Sequence, residues 1–201
     1  MKIAVSQRVD HWPDRPETRD ALDQDLIEFL VTAGALPLPV SNRLIFCGQA
    51  LAQWLEALQP DAVLLSGGND IGRVRERDLT EQALLAYAQY HRLPVLGLCR
   101  GMQMLAHWAG TPLRKVEGHV ASTHQLHGRL SGSVNSFHTQ ALAECPPGFE
   151  VLAHSEDGVI EAIQHLDLPW QGWMWHPERC HPFEASDIQR LQQLLQGQRT
   201  P

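Results

Sequence analysis

Pro94-Val95-Leu96-Gly97-Leu98-Cys99-Arg100-Gly101-Met102-Gln103-Met104-Leu105 is the stretch on which the reading of this chain turns. Val95, Leu96 and Leu98 form a short apolar run behind a proline, the pattern of a strand buried on both faces of a parallel sheet. Met102, Leu105, Ala106 and Ala109 then recur at helical spacing until Gly110 stops the pattern. Between the two lies Gly97-x-Cys99-x-Gly101, the spacing of a nucleophile elbow with cysteine in place of serine. A nucleophile on so sharp a strand-to-helix turn needs small residues two positions to either side, or the backbones collide. A sulfur at a helix N-terminus is also favoured as thiolate by the helix dipole, and the free N–H groups there can bind the oxyanion of an acyl intermediate. The plain alternative is a buried free cysteine, a common state of that residue; the paired glycines argue for the elbow.

Outward from this centre, 201 residues with 43% hydrophobic and 19% charged content predict one domain, residues 1–201, with a sizeable core. A net charge of −7 argues against nucleic-acid binding. The sequence has no 18-residue apolar run to cross a membrane, and the start turns polar too soon for a signal peptide. Cys47, Cys99, Cys145 and Cys180 are widely spaced, which predicts free thiols and a cytoplasmic setting.

In chain order, Ile3 to Val5 reads as a first strand, residues 8 to 17 as a loop, and Glu17 to Ala33 as a helix stopped by Gly34. Leu36 to Val40 is an edge strand or loop, and residues 50 to 58 a helix. Asp61 to Ser66 is a buried strand leading into Gly67-Gly68, a turn that lets backbone N–H groups approach a ligand. Arg73, Arg75 and Arg77 follow, either as a phosphate site or as a solvated, acid-compensated loop, before a helix over 79–91. His119, His124 and His127 match no zinc spacing, so no metal is expected; a ligand-lining loop or surface histidines fit better. Strands are predicted at 133–138, 149–153, 159–164 and 172–175, and a closing helix at 185–196. Trp12, Trp170, Trp173 and Trp175 read as packing residues. The order predicts a three-layer α/β sandwich with a mixed sheet.

A cysteine nucleophile needs a base, and the base an orienting group. His176-Pro177-Glu178 supplies both, because residues two apart in extended chain point the same way. The histidine precedes the acid here, unlike the nucleophile–acid–histidine order of α/β-hydrolases.

With both elements in hand, the chain resembles the class I glutamine amidotransferase-like proteins. The resemblance is carried by Ser66-Gly67-Gly68, Gly97 to Gln103, Val134-Asn135-Ser136-Phe137-His138, Gly158 to Ala162 and Trp175-His176-Pro177-Glu178. It implies a mostly parallel, flavodoxin-like sheet and a triad of Cys99, His176 and Glu178. It also implies an oxyanion hole from the backbone N–H groups of Gly68 and Arg100. Gly67, Gln103, Asn135, Ser136 and Phe137 would surround a glutamyl group, and no cofactor is implied. The elbow wording is most similar to the free-standing γ-glutamyl hydrolases. Ser6 to Asp10 and Asn69 to Gly72 resemble a subgroup of capsular polysaccharide biosynthesis that hydrolyses the γ-glutamyl amide of cytidine diphosphate. Arg73, Arg75, Arg77 or the 119–127 segment would then bind the diphosphate. The alternatives are a glutaminase subunit feeding ammonia to a separate synthetase, a γ-glutamyl-aminobutyrate-type hydrolase, and a non-catalytic or redox scaffold.

Overall fold

A computed structural model describes residues 1–197. The chain runs through β1 (Lys2–Val5), β2 (Arg8–Trp12), β3 (Glu17–Ala21), α1 (Gln24–Thr32), β4 (Leu36–Pro39), α2 (Ala50–Leu58), β5 (Ala62–Leu65), α3 (Arg75–His91), β6 (Val95–Leu98) and α4 (Arg100–Trp108). It continues through β7 (Leu113–Lys115), β8 (Val120–Gly128), β9 (Gly132–Phe137), β10 (Gln140–Leu142), β11 (Phe149–His154), β12 (Ile160–His165), β13 (Trp170–Trp173) and α5 (Ala185–Leu195).

A nine-stranded sheet has the order β4-β1-β5-β6-β13-β12-β11-β8-β9. The five strands from β4 to β13 are mutually parallel, and the remainder pair antiparallel. By chain order the parallel strands read 2-1-3-4-5, the flavodoxin-like doubly wound arrangement. One core packs α1 and α5 on one face through Leu26, Phe29, Leu30, Leu191 and Leu194. A second core packs α2, α3 and α4 on the other through Leu51, Leu55, Leu84, Leu85, Met102 and Leu105. Coverage on both faces explains why β5 and β6 are apolar at every position except Gly97.

The elbow depends on its glycines. A Cβ on Gly97 would stand 2.5 Å from the backbone carbonyl of Gly101, and one on Gly101 would stand 2.1 Å from the Leu65 carbonyl oxygen. Neither neighbour is a flexible side-chain end, so α4 would have to lift off β5 and β6. Gly101→Ala is therefore expected to destabilise the protein by more than about 4 kcal/mol, at the severe end for a point substitution. A urea transition with its midpoint unchanged would refute this account of the elbow.

Three expectations are corrected. Residues 8–21 are neither a loop nor the start of a helix but the hairpin β2–β3, paired from Arg8 with Ala21 to Trp12 with Glu17. The helix starts only at Gln24, where the Asp23 carboxylate caps it by accepting from the Asp25 N–H. Residues 17–21 carry no apolar face, so the helical spacing of Leu22, Leu26 and Phe29 does not reach back over them. The 119–127 segment is largely β8, with His119 buried, rather than a ligand loop. Finally, α3 begins at Arg75 and takes in part of the arginine run. Trp170, Trp173 and Trp175 pack the interior as expected, the last two rings stacked at 5.3 Å, whereas Trp12 stands half-exposed on the hairpin. No helix of the described residues is long and apolar enough to cross a membrane.

Candidate active site

The carboxyl ends of β5, β6 and β13 lie side by side, where ligands collect on an open α/β sheet. Each delivers one part of the site. Cys99 follows β6, held by its N–H to the Trp173 carbonyl at 2.7 Å. Its φ of 49° and ψ of −103° lie outside the ordinary regions for a non-glycine residue. Such strain costs about 1–3 kcal/mol and persists only where the surroundings over-determine it. Arg100 opens α4, so its N–H and those of the next residues have no partner within the helix.

His176 and Glu178 follow β13. Nδ1 of His176 lies 2.7 Å from Oε1 of Glu178, and both side chains are buried. The second oxygen of Glu178 has no hydrogen-bond partner among the described residues. The histidine main chain is gripped at both groups by Asn135, whose side-chain oxygen accepts from the His176 N–H at 2.9 Å and whose nitrogen donates to its carbonyl at 2.7 Å. Burial works to lower the His176 pKa, but its hydrogen bonds to Cys99 and Glu178 and the charges of both outweigh it and lift it to about 9. Cys99 therefore faces a protonated imidazole at neutral pH, the setting of a thiolate nucleophile.

Ser66-Gly67-Gly68 follows β5. A Cβ on Gly67 would stand 2.7 Å from Cε1 of His176, so only glycine lets the imidazole into place. Gly68 has φ of 128°, and its N–H engages no backbone acceptor among the described residues. Two buried arginines fix this turn from beneath. Arg77 donates to the carbonyls of Ser66 at 2.7 Å and Gly67 at 2.9 Å and pairs with Glu81 at 3.0 Å. Arg100 donates to the Asn69 carbonyl at 3.0 Å and pairs with Asp78 and Glu81. Burial pulls Arg77 down to about 10 and Arg100 to about 9, which leaves both charged at neutral pH.

Two clefts meet at His176. One of about 180 Å³ is lined by Cys99, Gln103, Phe137, Gln140, His176 and Arg179. The other, about 240 Å³, runs over Gly67 between Arg8, Asp10, Asp23 and Arg179. Of the residues expected around a glutamyl group, Gln103 and Phe137 line the first cleft, the Gln103 amide donating to the Gln140 carbonyl at 2.9 Å. The Asn135 side chain serves His176 instead, and the Ser136 hydroxyl is buried on the His119 carbonyl at 2.9 Å. The expected phosphate arginines are also corrected: Arg73, Arg75 and Arg77 line neither cleft. Arg77 is buried under the Gly67 turn, and Arg75 lies over the Phe46 ring at 5.9 Å. The cations that do border the clefts are Arg8, paired with Asp10 at 2.8 Å, and Arg179, over the Phe137 ring at 4.8 Å. The one sequence signal that points to Arg179 is its place beside Glu178.

Residues 36–191 match the family model of glutamine amidotransferase class-I. The chain belongs to that family. A γ-glutamyl-CDP-amidate hydrolase of Campylobacter jejuni is 33% identical over 188 residues, covering 89% of this chain and 90% of the relative. The glutamine-hydrolysing subunit of a GMP synthase from Thermococcus kodakarensis is 31% identical over 146 residues, covering 68% and 76%. A crystal structure of a GMP synthase subunit from Thermoplasma acidophilum superposes with a TM-score of 0.70 at 19% identity, covering 98% of this chain and 92% of that one. As a class I glutamine amidotransferase, the chain shares the fold of that structure. The nine-stranded mixed sheet and helices on both faces agree with that assignment.

Proposed function

We propose that this chain, acting as one domain, hydrolyses the γ-glutamyl amide bond of a small conjugate through Cys99 and releases glutamate. The observation that carries the reading is the hydrogen-bonded line from Cys99 through His176 to Glu178 along the wall of a glutamyl-sized cleft. The Cys99 thiolate adds to the γ-carbonyl carbon, and the carbonyl electron pair moves onto oxygen. The N–H groups of Gly68 and Arg100 receive that oxyanion, each donor contributing ~3 kcal/mol. His176 passes its proton to the leaving nitrogen, the C–N bond breaks, and a γ-glutamyl thioester remains. Water, deprotonated by His176, adds to the thioester; collapse frees glutamate and restores the thiolate. Every group in this cycle is a protein group or water.

For the leaving group we favour a cytidine diphosphate amide. Its support is the near full-length similarity to the Campylobacter jejuni enzyme. The second cleft, bordered by Arg8 and Arg179 where the leaving nitrogen would emerge beyond His176, offers room and cations for it. The second reading, a glutaminase subunit serving a separate synthetase, is favoured by the similarity to the Thermococcus kodakarensis GMP synthase chain. Glutamate release from glutamine, γ-glutamyl-aminobutyrate, a γ-glutamyl peptide and the γ-glutamyl amide of cytidine diphosphate decides between them. The nucleotide conjugate is expected to show the highest kcat/KM, at least ~10²-fold above glutamine, since a leaving group recognised by charged hydrogen bonds discriminates strongly. A preference for glutamine would transfer the assignment to the glutaminase reading, and a preference for γ-glutamyl-aminobutyrate to that hydrolase type.

A further inference from the structure

Behind the wall of the Cys99 cleft, three side-chain atoms from distant parts of the sequence converge in the interior. Nδ1 of His119, just before β8, lies 3.2 Å from Nε2 of His138, just after β9. Oε1 of Glu161, on β12, lies 3.4 Å from the first and 3.6 Å from the second. All three residues are at most 3% exposed.

The outer partners fix where the protons are. Nδ1 of His138 faces the Gln140 carbonyl at 3.1 Å, which can only accept, so the ring proton is on Nδ1 and Nε2 offers a lone pair. Nε2 of His119 faces the Asp157 carboxylate at 3.0 Å. That carboxylate already accepts from the Ser155 hydroxyl at 2.6 Å and the Val159 N–H at 3.3 Å. The His119 proton is therefore on Nε2, and its Nδ1 too offers a lone pair. Both oxygens of Glu161 lack a hydrogen-bond donor among the described residues. Three lone-pair donors point at one spot with no proton between them, an arrangement that a buried site cannot hold without a cation.

We propose that His119, His138 and Glu161 bind a divalent cation of the zinc class. Zinc bonded at about 2.0–2.1 Å to tetrahedral ligands sets them about 3.3–3.4 Å apart, the separation these atoms already have. The outer shell fits as well: a metal-bound histidine ordinarily donates its other N–H to a carboxylate or a backbone carbonyl, and this site has one of each. His124 covers the fourth side. Its half-buried ring stacks 4.1 Å from that of His119 and offers a nitrogen within 4.8 Å of the His119 and Glu161 ligand atoms. The ligands come from three strand ends, so no sequence spacing betrays them. The cation would tie β12 to the ends of β8 and β9 and hold the 138–140 segment, whose Gln140 carbonyl receives the Gln103 amide in the cleft. That is a positioning role, and it does not depend on which γ-glutamyl conjugate is cleaved.

The test uses tag-free Cys99→Ala protein, which removes the thiolate as a competing zinc ligand. The protein is stripped with a chelator and titrated with zinc chloride, and bound zinc is counted by elemental analysis after gel filtration. We expect about one zinc per chain, a rise in melting temperature on loading, and loss of binding in Glu161→Gln. Asp157→Asn should weaken binding by ~10–100-fold, as loss of an outer-shell carboxylate does elsewhere. Should Glu161→Gln lose its circular dichroism spectrum, His138→Gln serves in its place. Failure of the stripped protein to take up zinc, or uptake indifferent to these substitutions, overturns the proposal and leaves a proton on the histidine pair as the cation. Glutamate release by the wild-type protein is read separately, so neither result bears on the γ-glutamyl reading.

Discussion

Cys99→Ala is expected to reduce glutamate release by a factor on the order of 10⁵ or more, the scale of losing the nucleophile of a triad. The fold should survive. The side chain is small and 7% exposed, and alanine meets the same unfavourable φ of 49° that cysteine already bears. The substitution therefore separates chemistry from structure. Matching circular dichroism spectra and urea midpoints, together with the lost turnover, would place the thiol in the reaction. A variant within tenfold of the wild-type rate would instead support the scaffold or redox alternative, and His176 and Glu178 would then be a buried ion pair with no reaction to serve. Cys99→Ser is the sharper companion, because it keeps an oxygen nucleophile in place. His176 is charged only while its neighbours are, and a hydroxyl that stays neutral removes one of them. The imidazole would then lose both the hydrogen-bonding thiolate and part of its reason to hold a proton.

How much of this is legible in the sequence follows from how local each signal is. The elbow can be read because its constraint is steric and short-range: Gly97 and Gly101 touch each other and Leu65, and the spacing alone encodes that contact. The parallel strands can be read because burial on two faces leaves unbroken apolar runs. His176 and Glu178 are two residues apart and pair directly. The hairpin over 8–21 is not legible, since its strands are half-solvated and are tied down from afar, by Asn69 on the Val9 backbone and by Asp20 on Asn42 and Ser41. Arg77 reads as a free surface cation for the same reason. Its partners Ser66 and Gly67 arrive from another strand end, and only the fold brings Arg100 and its shared carboxylate Glu81 together beside it. The Asn135 grip on the His176 backbone spans 41 positions in sequence. A charged or amide residue states its chemistry in sequence, whereas its partner is a property of topology.

Glu178→Gln should lower kcat/KM by about 10³–10⁴, the scale seen when the orienting acid of a triad becomes an amide. The carboxylate acts on His176 in two ways. Its Oε1 accepts from Nδ1 at 2.7 Å and so aims Nε2 toward Cys99, and its charge helps to hold the imidazole proton against burial. The sign of the pH effect follows. His176 is lifted to about 9, so with glutamate at 178 the histidine stays protonated across neutral pH and activity should fall only as pH rises through about 9. Removing the carboxylate deletes two of the influences that raise this pKa and leaves burial, which lowers it. The alkaline limb should therefore move toward neutral pH, a change that a simple loss of packing would not produce. Glu178→Asp retains the charge but shortens the reach, so it should keep the limb closer to its original position while still losing rate through misdirection of the ring. The unpartnered second oxygen of Glu178 sharpens the expectation, because a buried carboxylate with one partner depends on that partner's charge. A loss of less than tenfold with an unmoved alkaline limb would mean that Asn135, through its two bonds to the His176 backbone, suffices to orient the ring without the acid.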